Sequence, residues 1–386
     1  MGEDQLGASV PEQRGATPAR QRFTESRQAV IALQQATGWP IVGYVGAGVP
    51  IEILLAARVL PFRVGAWLPD EVTAAARYFE RGDSEMIARF VSILLDGSHA
   101  FLDHLVIGNT PTMNVALLHF LREARRMDPA FEAPRVTLHE QFHGQDVATG
   151  AYNVDSCRRL AEAMGSLGEP VTEEALREAI DRVNSMRSSL ASLNSARRAT
   201  PAMRSGSDFI ETLASWQMNP LGPPIAAAPI LCTGPRIMFS GTDITRLAHY
   251  PIIEAAGCTI VADDHDWGEA VIEGLVEAGG DPIIAIADRY ARQSPRSARW
   301  PAADRIRAVV DRAVAAKVDG VLLCLSDEDH ASAWDVPSLR AALTAREIGC
   351  LDPGLQPATG IDAPEMMRAL AQWLPTIGGR ARELMR

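Results

Sequence analysis

The sequence predicts an α/β protein: two tandem domains, each built on a parallel sheet, joined by a helical connecting segment. Three observations carry that expectation. Short apolar runs recur along the chain, and each breaks into a loop and then into helical spacing, the pattern of alternating strands and helices. At 386 residues the chain is too long for one core of ordinary size. Finally, Pro201, Gly206, Pro220, Gly222, Pro223 and Pro224 crowd the stretch 200–229, which reads as a short helix followed by a crossing between domains.

Taken in order, the first strand is expected in Pro40-Ile-Val-Gly-Tyr-Val45, which breaks into Gly46-Ala-Gly-Val-Pro50. Helical spacing over 51–60 follows, with Pro50 suited to the first turn. A second unit runs from His104-Leu-Val-Ile-Gly108 through Asn109-Thr-Pro-Thr112 into a helix over 113–126, and 134–138 is a third strand. The pattern over 153–195 is helical, with Thr172 as N-cap and Glu173 and Glu174 in the acidic first turn. Beyond the crossing, strands are expected at 236–240, 258–262, 320–325 and 348–351, with helices around 305–316 and 363–374. The resulting division is a flexible N-terminus over 1–25, a first domain over 26–200, a linker over 201–229 and a second domain over 230–386. Both domains are of the Rossmann or flavodoxin-like kind, in which ligands gather at the carboxyl ends of the strands. The loops 46–50, 109–112, 240–242, 263–268 and 326–330 are therefore the places to look for a site.

Composition narrows the function classes. A net charge of −11 with scattered arginines is unsuited to phosphate backbones, so nucleic acid is not an expected partner. No stretch approaches the roughly 20 apolar residues of a membrane helix, and the polar N-terminus has no apolar core of a secretory signal. Five cysteines, Cys157, Cys232, Cys258, Cys324 and Cys350, form no CxxC pair. They read as reduced, buried thiols of a cytoplasmic protein. No GxGxxG follows a strand and no Walker pattern occurs, so dinucleotide or ATP binding has no support.

Several residues invite chemistry, each beside a plainer reading. Asp263, Asp264, His265 and Asp266, with Asp327, Glu328, Asp329 and His330, give two acidic, His-bearing loops that could hold a divalent ion. The reading preferred here is that such loops cap helices and stay solvated, with no metal bound. His139, Glu140 and His143 do not meet the HExxH order and follow a strand, so they are not taken as a metal pair. Glu52 lies two residues after Pro50, where a helix N-terminus alone explains a carboxylate. Gly46, Ala47 and Gly48 allow close backbone approach to a ligand or a neighbouring helix. Asn109, Thr110 and Thr112 can donate hydrogen bonds to a ligand carbonyl or cap the next helix.

Those loops also carry a family resemblance. Gly43-Tyr-Val-Gly-Ala-Gly-Val-Pro-Ile-Glu52, with Ala56-Ala57 and Leu60-Pro61, resembles the opening motif of the 2-hydroxyacyl-CoA dehydratase and benzoyl-CoA reductase subunit family. Asp103-His-Leu-Val-Ile-Gly-Asn-Thr-Pro-Thr112 is similar to the motif in which Thr precedes Cys. Gly165, Thr172-Glu-Glu174 and Asn184-Ser-Met-Arg187 resemble its helical segment. Ala287-Asp-Arg-Tyr290 with Pro295, and the stretch from Gly320 to Pro337, resemble its later elements. The similarity spans roughly residues 30–375.

The resemblance implies a two-domain α/β subunit, usually of a heterodimer, in which three cysteines hold a [4Fe–4S] cluster used in radical chemistry on acyl-CoA thioesters. Carried over one by one, those ligand positions fall on Gly46, Pro111 and Asp329, none of them a thiol. Cluster irons need soft thiolate donors, so no cluster is expected in this chain, while one could sit in a partner chain. The expected function is a cluster-lacking subunit of a dehydratase (lyase) or reductase complex. It would bind an acyl-CoA at Tyr44, Gly46, Ala47, Asn109, Thr110, Pro111, Thr112 and Asp329, or support a cluster-bearing paralogue or second copy of itself. The alternatives are a cluster-independent acyl-CoA lyase or hydrolase using Glu52 in proton transfer, or a non-catalytic binding protein.

Overall fold

The computed structural model describes residues 18–69, 71–80, 83–110, 112–143, 146–223, 228–241, 247–292, 300–328, 330–357 and 360–377. The side chains of 18–20, 112, 330 and 331 lie outside that description.

The first half begins with a helix, α1 (Pro18–Thr37). Residues 18–25, expected to be flexible, are thus helical. Phe23 and Val30 are buried, and the Phe23 ring meets Phe62 edge-on at 5.9 Å. The strands β1 (Ile41–Val45), β2 (Leu60–Arg63), β3 (His104–Gly108) and β4 (Arg135–His139) form one sheet, all parallel, in the order β2-β1-β3-β4. Every residue of β1 is buried, as expected of a parallel strand covered on both faces.

The helix expected over 51–60 is shorter than the spacing implied. α2 (Ile51–Ala56) stops at a turn with Arg58 at φ +57, and the chain re-enters the sheet as β2. Pro61 lacks an N–H and is accommodated because β2 is the edge strand. α3 (Glu85–Leu95) and α4 (Thr112–Met127) complete the cover.

The helical stretch after β4 is two helices, α5 (Val147–Gly165) and α6 (Glu173–Arg198), parted by a turn over 166–172. Thr172 caps the second, its hydroxyl accepting from Ala175 N at 3.2 Å. The short helix expected near the crossing is α7 (Gly206–Met218), with Phe209, Leu213 and Trp216 buried. It packs on α1 and β2 on one side and on the second half on the other.

The second sheet holds β5 (Arg236–Gly241), β6 (Thr259–Asp263), β7 (Gly320–Ser326) and β8 (Gly349–Leu351) in the order β6-β5-β7-β8. A short β9 (Leu355–Gln356) pairs with β7. Its helices are α8 (His249–Glu254), α9 (Pro282–Arg292), α10 (Ala302–Ala315), α11 (His330–Thr344) and α12 (Ala363–Ile377).

The strand order reverses between β1 and β3 in the first sheet and between β5 and β7 in the second, and in such sheets ligands gather at the carboxyl ends beside these switch points. Those ends face one another. Ala47 N donates to Asp266 Oδ1 (3.2 Å), Ser84 Oγ to Glu328 Oε2 (2.6 Å) and Gln141 Nε2 to the Ala287 carbonyl (3.4 Å). One apolar cluster runs from Phe23 and Val30 to Leu370 and Leu374, so the two halves share a core; a smaller cluster lies about Val309, Val321 and Leu343.

Candidate functional site in the crevice between the sheets

The chain leaves β1 through Gly46 at φ +92, a left-handed conformation natural to glycine. A Cβ there would lie 2.7 Å from the Thr110 carbonyl oxygen and 2.8 Å from Asn114 Nδ2. Asn114 donates to that same carbonyl at 2.8 Å, so the two loops are pinned against each other. Gly48 is roomier: its nearest neighbour on the side-chain side is Gln141 Cβ at 3.9 Å.

Asn109, buried at the end of β3, accepts from Gln141 N through Oδ1 at 3.0 Å. The buried Thr110 hydroxyl oxygen and Gln141 Oε1 have no hydrogen-bond partner among the described residues. The Gly46 and Asn109–Thr110 loops are therefore held against each other. Tyr44 is buried beneath them, its hydroxyl donating to the Gln217 carbonyl at 3.0 Å. Pro111 and Asp329 lie outside the described residues, as does the side chain of Thr112.

Glu52 lies behind this loop, fully buried. Arg187 Nη1, from α6, meets its Oε1 at 2.5 Å, and the Tyr290 hydroxyl, from α9, donates to Oε2 at 2.9 Å. Arg187 Nη2 donates to the Tyr290 oxygen in turn, at 3.1 Å. Burial by itself would raise the Glu52 pKa, but Arg187 first and Arg289 next hold it below the ordinary carboxylate value. Such a carboxylate is fixed as an anion and makes a poor proton donor. Three separate pieces of the family pattern, Pro50-Ile-Glu52, Asn184-Ser-Met-Arg187 and Arg289-Tyr290, thus meet at one buried node.

A second tie crosses beside it. Arg63, buried at the end of β2, meets Asp266 and Gln217 and lies 4.1 Å from the centre of the Trp267 ring. Sequence reading does not single out Arg63, Gln141, Arg187 or Gln217. Only the resemblance touches any of them, at Arg187.

The two acidic loops lie apart. β5 lies between β6 and β7, so the two loops do not follow neighbouring strands. Nor is the first loop solvated: Asp263, Asp264 and His265 are all buried. Asp263 is spent on Arg197 (2.6 Å), Glu269 N (2.6 Å) and the Tyr250 hydroxyl (2.8 Å), which also lies 2.6 Å from His265 Nε2. Asp264 accepts from Ser240 Oγ and Gly241 N. Asp327 is exposed, and the His330 side chain lies outside the described residues. Among the described residues no three His, Cys, Asp or Glu side chains converge to hold a metal ion. His139 ends β4 with His143 in the loop beyond, so these two share no helix.

The carboxyl ends of the two sheets face each other, and the loops bearing the family pattern converge there. The family model described as 2-hydroxyglutaryl-CoA dehydratase, D-component, matches residues 47–353. The chain belongs to that family. No curated protein matches it.

Membership in the 2-hydroxyglutaryl-CoA dehydratase family raises the question of a thiolate-held cluster, and the described residues do not fit one. Gly46 has no donor, and the direction its side chain would take is filled by Thr110 and Asn114. Burial pushes the thiols of Cys157, Cys258 and Cys324 up to about 12 and that of Cys350 to about 11; Cys232 is raised as well.

Restoring the first ligand alone is expected to fail. Gly46→Cys places a side chain at positive φ against a backbone carbonyl and should cost about 1–3 kcal/mol. Urea unfolding measures that cost, and iron analysis of the anaerobically purified variant should find no cluster. A stable Gly46→Cys protein with stoichiometric iron would refute the closed-site picture.

Proposed function

We propose that this chain is a subunit of an acyl-CoA dehydratase-like or reductase-like complex that has no iron–sulfur cluster of its own. In this reading it binds an acyl-CoA thioester at the crevice formed by Gly46, Ala47, Asn109 and Thr110. A cluster-bearing paralogous subunit supplies the electron. The observation that carries the reading is the Gly46 corner, where the family places a thiolate and this chain packs glycine against the Thr110 carbonyl. A corner without a donor, closed on the Thr110 carbonyl, supports a subunit whose chemistry differs from that of the cluster-bearing members.

Within this reading Glu52 is a fixed negative charge that holds α2 against α6 and α9. Cluster-independent elimination or hydrolysis by Glu52 is less well supported, because Arg187 keeps the carboxylate ionised and it lies fully buried. Free thiols accord with a reducing compartment. Among the described residues no helix is long and apolar enough to cross a membrane.

The test is anaerobic purification of the chain, alone and co-expressed with genomic neighbours. The isolated chain should contain no stoichiometric iron or sulfide, should bind acyl-CoA, and should turn it over only with a cluster-bearing partner. Stoichiometric iron and sulfide in the chain alone, or dehydration by it unaided, would sink the proposal.

A further inference from the structure

We infer that Gln141 is a specificity-determining residue whose side-chain carbonyl accepts a hydrogen bond from the 2-hydroxyl of the acyl group. The inference rests on the acyl-CoA reading above and adds to it a named point of recognition.

The position comes first. Gln141 follows β4 at the carboxyl edge of the first sheet, and its backbone N–H is anchored on Asn109 Oδ1 at 3.0 Å. That bond ties it to the β3 loop, while a Cβ added at Gly48 of the β1 loop would lie 3.9 Å from its own Cβ. It therefore adjoins both glycine-lined and threonine-bearing loops of the crevice.

The hydrogen bonds come next. Gln141 is 2% exposed, yet Oε1 has no partner among the described residues. Its amide nitrogen reaches across to the Ala287 carbonyl at 3.4 Å. Exchanging the amide nitrogen and oxygen would set two carbonyls against each other, so the orientation with Oε1 away from Ala287 is the favoured one. A buried acceptor left without a donor costs about 1–3 kcal/mol, and native proteins keep few of them. A functional explanation is that the donor arrives with the ligand.

The neighbouring Thr110 hydroxyl oxygen is orphaned at the same edge. An unpaired acceptor and an unpaired hydroxyl on adjoining loops, tied through Asn109, suit a group that both donates and accepts, which is what a 2-hydroxyl does. A thioester carbonyl can only accept and leaves Gln141 Oε1 unsatisfied. Sites built to pair with a substrate hydroxyl reject the analogue lacking it far more strongly than apolar pockets reject a missing methylene.

The experiment is calorimetric titration of the full chain with lactoyl-CoA and propionyl-CoA, which differ by one hydroxyl. The wild type should bind lactoyl-CoA roughly tenfold or more tightly than propionyl-CoA. Gln141→Leu should abolish that preference while leaving propionyl-CoA affinity within about twofold. Gln141→Met, which also lacks the acceptor, is the second variant should the leucine protein fail to fold. A wild-type control needs no variant: 2-methoxypropionyl-CoA has no donor and should lose the preference. Retained discrimination in a folded Gln141 variant, or equal binding of the methoxy and hydroxy thioesters, overturns the inference. Equal loss of lactoyl-CoA and propionyl-CoA binding in the variants overturns it too. If the wild type binds no acyl-CoA, the proposed function fails with it; if it binds both thioesters equally, only the Gln141 inference fails.

Discussion

Arg197→Met is expected to destabilise the protein by about 3–5 kcal/mol, a large fraction of the 5–15 kcal/mol typical of a folded domain. Arg197 is fully buried, with Nη1 on Asp263 and Nη2 on Glu269, each at 2.6 Å, and Nε on Asn194 Oδ1 at 3.0 Å. Its guanidinium also lies 4.0 Å from the centre of the Phe209 ring. Methionine fills much of the volume and removes the charge, so the loss reads the stranded carboxylates more than a cavity. Glu269 keeps Arg198 and Arg312, whereas among the described residues Asp263 keeps only neutral donors.

The pH dependence carries the diagnosis. In the wild type burial would raise Asp263, but Arg197 above all, and then His265, hold it well below the usual carboxylate range. A depressed folded pKa contributes stability above the unfolded value of about 3.9, and that stability is lost as pH falls through the folded pKa. Without Arg197 burial dominates, the folded pKa lies above the unfolded one, and acid favours the folded variant. The gap between wild type and variant should therefore narrow as pH falls from 7 toward 4.5. Urea unfolding at both pH values measures it. A cost under about 1 kcal/mol at pH 7, or a gap independent of pH, would contradict a stranded Asp263.

The strands β1, β3 and β7 are legible in the sequence because a parallel strand buried on both faces is a run of apolar residues, a local property. β2 is hidden because Leu60-Pro-Phe-Arg follows α2 after a turn of three residues and contains a proline that only an edge position tolerates. α1 is hidden because Phe23, Ser26 and Val30 are buried among arginines, glutamines and a glutamate, a narrow stripe in a polar segment. The site divides in the same way. The loops Gly46–Gly48 and Asn109–Thr110 follow from the rule that ligands gather at strand ends. Their partners do not, because Arg187 and Tyr290 reach Glu52 from 135 and 238 residues away. The buried fate of Asp263 likewise depends on Arg197, 66 residues distant. Local spacing cannot reveal whether an acidic loop faces solvent, a metal or an arginine.

The Glu52 node allows a test that separates a fixed charge from a proton carrier. Arg187→Met strands the buried Glu52 carboxylate and should cost about 3–5 kcal/mol, since among the described residues only the Tyr290 hydroxyl remains as a direct side-chain partner. Adding Glu52→Gln to Arg187→Met removes the stranded charge, so the double variant should regain a large part of that loss. Neutral replacements of a buried pair are often tolerated where a half-broken pair is not. Urea unfolding of both singles and the double variant gives the coupling energy directly. The same proteins then decide function. If Glu52 only fixes α2 against α6 and α9, the refolded double variant should bind acyl-CoA within a few-fold of wild type. It should also support turnover beside the cluster-bearing partner. Full recovery of stability with complete loss of turnover would instead place a proton on Glu52 during the reaction.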